Sequence, residues 1–249
     1  MNHSFKNQIL PGVALLCGGV GLLLRLWLFS TQDSLGFIRQ GHISQILLFL
    51  LTGGFLLALF FLTGKMRQGN KYFFNFPASP ISAAGSMLAA LGIGITCGTD
   101  LVTAGGDMLD LAASAVGLLA AVGLLWSAKC RWEGSAPSVL CHGCLCVWLM
   151  LRLLSLYRTW SADPQMEDYF FQLLALVFAM MASYHRAAFT QGMGDRAKYS
   201  FFALAGLYCC CLSLAGPEPF LPYLSLGLWL CTDLCDMTPM PPETGSEKA

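Results

Sequence analysis

Charge is what this sequence has least of. Of 249 residues, 14 are lysine or arginine and 14 are aspartate or glutamate, 11% together, where a soluble domain carries about 25%. So few charges cannot cover a globular surface, and most of the exposed surface must face lipid. The net charge is zero, and no basic block or aromatic-basic interleaving suggests nucleic acid. The signatures His-Glu-x-x-His, Gly-x-Ser-x-Gly, Gly-Lys-Ser/Thr and Gly-x-Gly-x-x-Gly, which would point to zinc peptidases, serine hydrolases, phosphate loops and dinucleotide folds, are all absent. The stretches between apolar runs are too short for a catalytic domain, so a catalytic role is not expected and any active site would lie within a helical bundle. No cofactor is implied.

What the chain does have is long apolar runs, at 9–29, 43–63, 80–97, 108–128, 137–157, 169–189, 199–215 and 220–236. About 20 apolar residues cross a hydrocarbon core of about 30 Å as a helix, and backbone groups in lipid must bond within their own segment. The spacing therefore predicts an all-α polytopic transmembrane bundle of eight spans. The last two runs are short and joined only by Gly216-Pro217-Glu218-Pro219, so a re-entrant hairpin is the alternative there. Lys6 before the first run resembles a targeting signal, but Leu16 is too large for the residue before a lipoprotein-type cysteine at Cys17, and the run reads as an uncleaved span. Residues 239–249 read as a disordered polar tail.

Lysine and arginine set the orientation. With the N-terminus inside, the cytoplasmic side holds Lys6, Lys65, Arg67, Lys71, Lys129, Arg131, Arg186, Arg196, Lys198 and Lys248, while the outer side holds Arg39 and Arg158. Both termini are thus expected in the cytoplasm of a cell-membrane protein. His185-Arg186 reads as an interfacial cap or headgroup contact.

Shifting the chain against itself by 127 residues, the interval from Arg25 to Arg152, also aligns Cys17 with Cys144, Gln45 with Gln172, Thr63 with Thr190, Met66 with Met193, and Lys71-Tyr72 with Lys198-Tyr199. Such matches predict two parallel four-helix repeats, 1–128 and 129–238, related by an axis along the membrane normal; chance similarity of apolar helices is the plain alternative. Spans 3 and 4 carry small-residue ridges, Ala90, Gly94 and Gly98, then Ala113, Gly117 and Ala121, which permit close helix packing.

Arg25 and Arg152 are the most informative polar groups. Each lies about 15 residues into its span, about 23 Å at about 1.5 Å per residue, where a charge must snorkel or find a partner. One reading makes them anchors. The sharper one pairs Arg25 with Asp107 or Asp110, and Arg152 with Asp168 or Glu218, as an outward-facing arginine/carboxylate site for a small anionic ligand, with Gln45 and Gln172 facing the same interior. Mid-membrane carboxylates are missing from this reading. The eleven cysteines lie mainly in apolar runs and behave there as small apolar residues. Cys141, His142 and Cys144, with Cys231 and Cys235 at similar depth, are candidate ligands for zinc or another soft metal.

The stretch Arg158-Thr-Trp-Ser-Ala-Asp-Pro, then Asp168-Tyr-Phe-Phe and Ala182-Ser-Tyr-His185, resembles a recurring type of polytopic bacterial inner-membrane protein. The resemblance implies a bacterial inner-membrane setting and brings no activity, substrate or site residue. The residues themselves support a small transporter or permease-like protein, or else a non-catalytic membrane partner or assembly factor, alone or as a homo-oligomer; an intramembrane enzyme or metal-thiol protein is the third class. Reporter fusions at Gln68, Arg131 and Asp195 are expected to report inside, and fusions at Gly36, Gly105 and Asp163 outside; an external signal at Gln68 would reverse the orientation.

Overall fold

A computed structural model of the chain describes residues 3–31, 42–66, 71–103, 107–161 and 166–237, with the side chains of 3–8, 166 and 167 left aside. Among the described residues all regular structure is helical. The order is α1 (His3–Ser30), α2 (Ile43–Gly64), a single turn α3 (Tyr72–Asn75), α4 (Pro80–Thr103), α5 (Met108–Glu133), α6 (Val139–Trp160), a 3-10 turn (Met166–Tyr169), α7 (Phe170–Thr190), α8 (Arg196–Ser213) and α9 (Leu221–Cys235). The starts follow local chemistry. Asp107, Ser138 and Asp195 each accept a backbone N–H of the first turn behind them, satisfying donors that a helix leaves open. Gly134 closes α5 in the left-handed region at φ 73°, which costs a glycine nothing.

Six helices, α1, α2 and α4 to α7, are long and apolar enough to cross a membrane, which fits a multi-pass integral membrane protein. Their outer faces agree. Leu16, Leu23, Leu50, Phe60, Leu88, Val122 and Leu140 are all exposed, Leu16 by 74%, and a soluble monomer rarely shows continuous apolar surface on this scale.

The arrangement is centred on α8. It packs against α1, α2, α7 and α9, and its Tyr199, Leu204, Tyr208, Cys209, Cys210 and Leu212 are fully buried. Enclosure by protein explains why α8, at 18 residues, is shorter than α1, α2 and α7 and can be less apolar than they are. The triplet Cys209 to Cys211 packs as core, with Cys211 half-buried. α9 crosses between α8 and α4, while α5, α6 and α7 continue the ring from α4 back to α8. The α1–α2 pair therefore rests on α8 and α9 more than on α4–α5.

Small residues permit these contacts. A Cβ on Gly85 would collide with Thr232, and one on Gly92 with Ser225, so α4 and α9 touch along a glycine seam two turns long. Of the ridge residues expected from sequence, Gly94 faces Ala121 and Gly117 lies against Cys97 and Trp148, whereas Gly98 has open space. Replacing Gly117 with alanine is expected to lower thermal stability by about 1–3 kcal/mol through overpacking, while Gly98→Ala is expected to leave it unchanged or higher; the measurement is thermal unfolding of the purified protein.

Candidate functional site

Two polar clusters occupy opposite ends of the bundle. One end carries Lys65, Lys129, Arg131, Arg186, Arg196 and Lys198, and the other Asp100, Asp107, Asp110, Asp168 and Glu218; they are the basic and the acidic end below.

At the basic end Asp233 of α9 is 1% exposed and collects partners from four other helices. Tyr199 of α8 donates its hydroxyl to Oδ2 at 2.5 Å, and Ser82 of α4 donates to Oδ1 at 3.1 Å. Arg186 of α7 donates Nη2–H to Oδ1 at 3.2 Å, and its Nε lies 2.9 Å from Oδ2, near in distance but poorly aligned as a hydrogen bond. Arg131 of α5 approaches to 3.6 Å through Nη2, donates from Nε to the Ser82 hydroxyl at 3.2 Å, and from Nη1 to the Pro77 carbonyl at 2.6 Å. Both arginines are 1% exposed. An arginine cannot neutralise itself by losing a proton, so one carboxylate leaves this cluster with an excess positive charge. Aromatic rings take up part of it: the Arg186 guanidinium lies 3.4 Å from the Phe76 ring centre and 5.0 Å from that of Tyr72, with Arg131 5.5 Å from Phe76. Ring faces attract cations more strongly once water is gone.

This cluster corrects two expectations. Arg186 is not an interfacial cap but part of the core, because Asp233 draws it inward. An intramembrane-type carboxylate is also present. It stood within the run 220–236, and such a residue is by default a functional candidate; its position three residues from the end of that run made it look like a flanking charge.

At the acidic end, a cavity of about 250 Å³ opens between α4, α5, α6 and the α8–α9 turn, lined by Asp100, Asp110, Trp148, Arg152, Ser155 and Glu218 among others. Arg152, 8% exposed, donates Nη1–H to Asp100 at 2.7 Å, lies 6.0 Å from the Trp148 ring centre, and has no hydrogen-bond partner at Nε. Asp110 accepts the Ser155 hydroxyl, and Glu218 accepts the Trp160 indole N–H at 3.1 Å. Asp107 caps α5 and pairs with Arg158 at the exposed rim, a setting where an ion pair contributes about 0–1 kcal/mol.

Arg25 goes elsewhere. It is 2% exposed and donates to the carbonyls of Leu212 at 2.8 Å and Asp168 at 2.5 Å, with its guanidinium 5.4 Å from the rings of Phe29 and Phe171. The expected pairing of Arg25 with Asp107 or Asp110 is therefore replaced: α8 stands beside α1 and supplies carbonyls first, while Asp110 faces α6. Arg152 likewise takes Asp100 on α4, with Glu218 on the same cavity wall. Gln172 is fully buried against Gly216 with neither amide atom partnered, and Tyr223 is fully buried with an unpartnered hydroxyl. Gln45 sits half-buried in the first turn of α2. Neither glutamine lines the cavity. Asp100 lies with Asp107 and Asp110 in one short acidic stretch of the sequence, a group that could hold a hard cation or pair with the arginines; its particular pairing with Arg152 was not among those expected.

The candidate metal ligands do not assemble. His142 meets Ser127 through Nε2 at 3.2 Å and stacks on Trp229 at 5.9 Å, and Cys231 and Cys235 are free thiols one turn apart on α9. Among the described residues no three His, Cys, Asp or Glu side chains form a group able to hold a metal. Cys141 and Cys144 are free thiols.

The chain matches no protein-family model, no curated protein and no solved structure. Its chemistry is thus read from its own geometry. Asp233→Ala would strand two buried arginines and is expected to cost about 3–5 kcal/mol, whereas Glu133→Gln, which removes the exposed pair with Lys129, should cost less than about 1 kcal/mol; chemical denaturation in detergent compares them, and equal losses would deny the cluster its role.

Proposed function

We propose that the protein is an eight-span, permease-like membrane protein that binds a small polar solute in the cavity at its acidic end. The observation that carries this is Arg152, nearly buried, set in a cavity wall with three carboxylates. A charge so far from water is costly in a membrane protein and tends to mark a solute or ion pathway. α8 and α9 support the count of eight, since Asp233 near the end of α9 meets Tyr199 near the start of α8 while the turn between them reaches the cavity. The lysine and arginine bias supports a cytoplasmic basic end and an outward-facing cavity.

The internal match fits this reading. Tyr72 and Tyr199, aligned by the duplication, both serve the Asp233–Arg186 cluster, and Arg25 and Arg152 both lie buried towards the acidic end. Parallel repeats are a recurrent transporter architecture. The closed basic end is the one observation that also suits a non-catalytic membrane partner, which would have no use for a through-path.

Uptake separates the two. Proteoliposomes incubated with a defined mixture of small polar metabolites are expected to enrich at least one solute over empty vesicles, read by mass spectrometry, and Arg152→Gln should abolish that enrichment. In intact cells, Thr159→Cys on the cavity wall should gain labelling by a membrane-impermeant maleimide over the unaltered protein. Full uptake without Arg152 would remove the cavity from the mechanism, and labelling only in everted vesicles would invert the orientation.

A further inference from the structure

The cavity's charges do not balance, and the imbalance bears on what it holds. Asp100, Asp110 and Glu218 face a single cation, Arg152. Asp100 is committed to Arg152 at 2.7 Å. Asp110 and Glu218 have only neutral donors, the Ser155 hydroxyl and the Trp160 indole N–H, and among the described residues no cation forms a salt bridge with either. A carboxylate accepts at about four lone-pair positions, so each retains acceptor capacity beside a space open to a ligand. Two uncompensated negative charges repel a simple anion, the ligand class that the arginines alone had suggested.

Arg152 supplies the independent half. Its side chain lines the cavity nine-tenths buried and spends Nη1 on Asp100, while its Nε–H, enclosed by protein, lacks an acceptor. A guanidinium has five donor hydrogens and never loses its charge, and a donor left unmet away from water is costly. The wall therefore asks for a cation on one side and an acceptor on the other. Metal ions do not answer that description, because the carboxylates do not converge into a metal-holding group among the described residues. The size argues for something small: at about 250 Å³ the space falls just short of the range of about 300–1,000 Å³ found for drug-sized ligands.

We propose that this cavity takes a small zwitterion of the amino-acid type, its ammonium group against Asp110 and Glu218 and its carboxylate against Arg152. The proposal rests on the solute-site reading above and narrows it to a ligand class. The Ser114, Ser155 and Thr159 hydroxyls on the same wall supply neutral hydrogen bonds to the ammonium, and the Trp148 ring gives it an apolar floor.

Thermal unfolding of the purified full chain tests this with four probes: alanine, methylammonium, acetate and magnesium ion. Alanine is expected to raise Tm by about 5 °C at about 100 times its Kd, methylammonium less, and acetate and magnesium not at all. Asp110→Asn should erase the alanine response; Ser155→Ala, a milder change on the same wall, should weaken it if the aspartate variant fails to fold. A rise with acetate alone, or with magnesium as large as with alanine, overturns the zwitterion while leaving a solute cavity in place. No rise with any probe overturns the zwitterion too, and whether the cavity itself survives is then read separately from labelling at Thr159→Cys.

Discussion

A carboxylate held between two arginines, deep among helices, organises one whole end of this molecule. At Asp233 of α9, side chains from α4, α5, α7 and α8 converge on one carboxylate. Each contact alone is ordinary. Together they are conditional on one another, because Ser82 receives from Arg131 and donates to Asp233, and Phe76 serves both guanidinium groups. Buried ionic groups add little net stability over well-packed apolar ones, yet removing one member is severe. The cluster is thus better understood as fixing which helices meet, and in which register, than as glue. In an apolar setting that distinction matters, since lipid tails compete equally with any leucine contact.

The opposite end has the contrary character. Its charges sit at a cavity rather than a packed knot, and they are acidic. One end is thereby tied and the other left with space. The glycine seam between α4 and α9 lies between the two ends and lets the helices that carry Asp100 and Asp233 run in close contact.

Much of this was legible in the residues, and the rest was not for definable reasons. Composition and the length of apolar runs lead directly to helices α1, α2 and α4 to α7, because a membrane-crossing helix writes itself as an uninterrupted apolar stretch. α8 is weaker in sequence since protein surrounds it on most sides, and α9 is weaker because it is short and carries Asp233 for the buried cluster. That Arg152 would need a partner followed from the cost of charge in an apolar run, while Glu218 entered only as an acid at matching depth. Which arginine would meet which carboxylate did not follow, because depth along a helix says nothing of which neighbours stand within reach; α8 beside α1 decides Arg25, and the Arg152 side chain reaching from α6 to α4 decides Arg152. Asp233 went unread because a charge near the end of a run looks like a flank until its neighbours are known. The cysteine–histidine string looked chemical in one dimension, while in three His142 turns to Ser127 and Trp229.

The enclosure of α8 reaches back into how the chain is made. Helices that leave a ribosome one after another can settle in a bilayer singly if lipid suits them, but α8 has polar groups that only its companions satisfy. Tyr199 needs Asp233, and Tyr208 shares a hydrogen bond of 2.9 Å with Thr52 of α2. Asp233 is synthesised only after Arg131 and Arg186 have already been committed. Until the final hairpin arrives, two arginines wait without their counter-charge, so the last stretch of translation closes the assembly rather than merely lengthening it. A chain cut short before α9 would retain its apolar spans but lack the Asp233 carboxylate that Arg131 and Arg186 share.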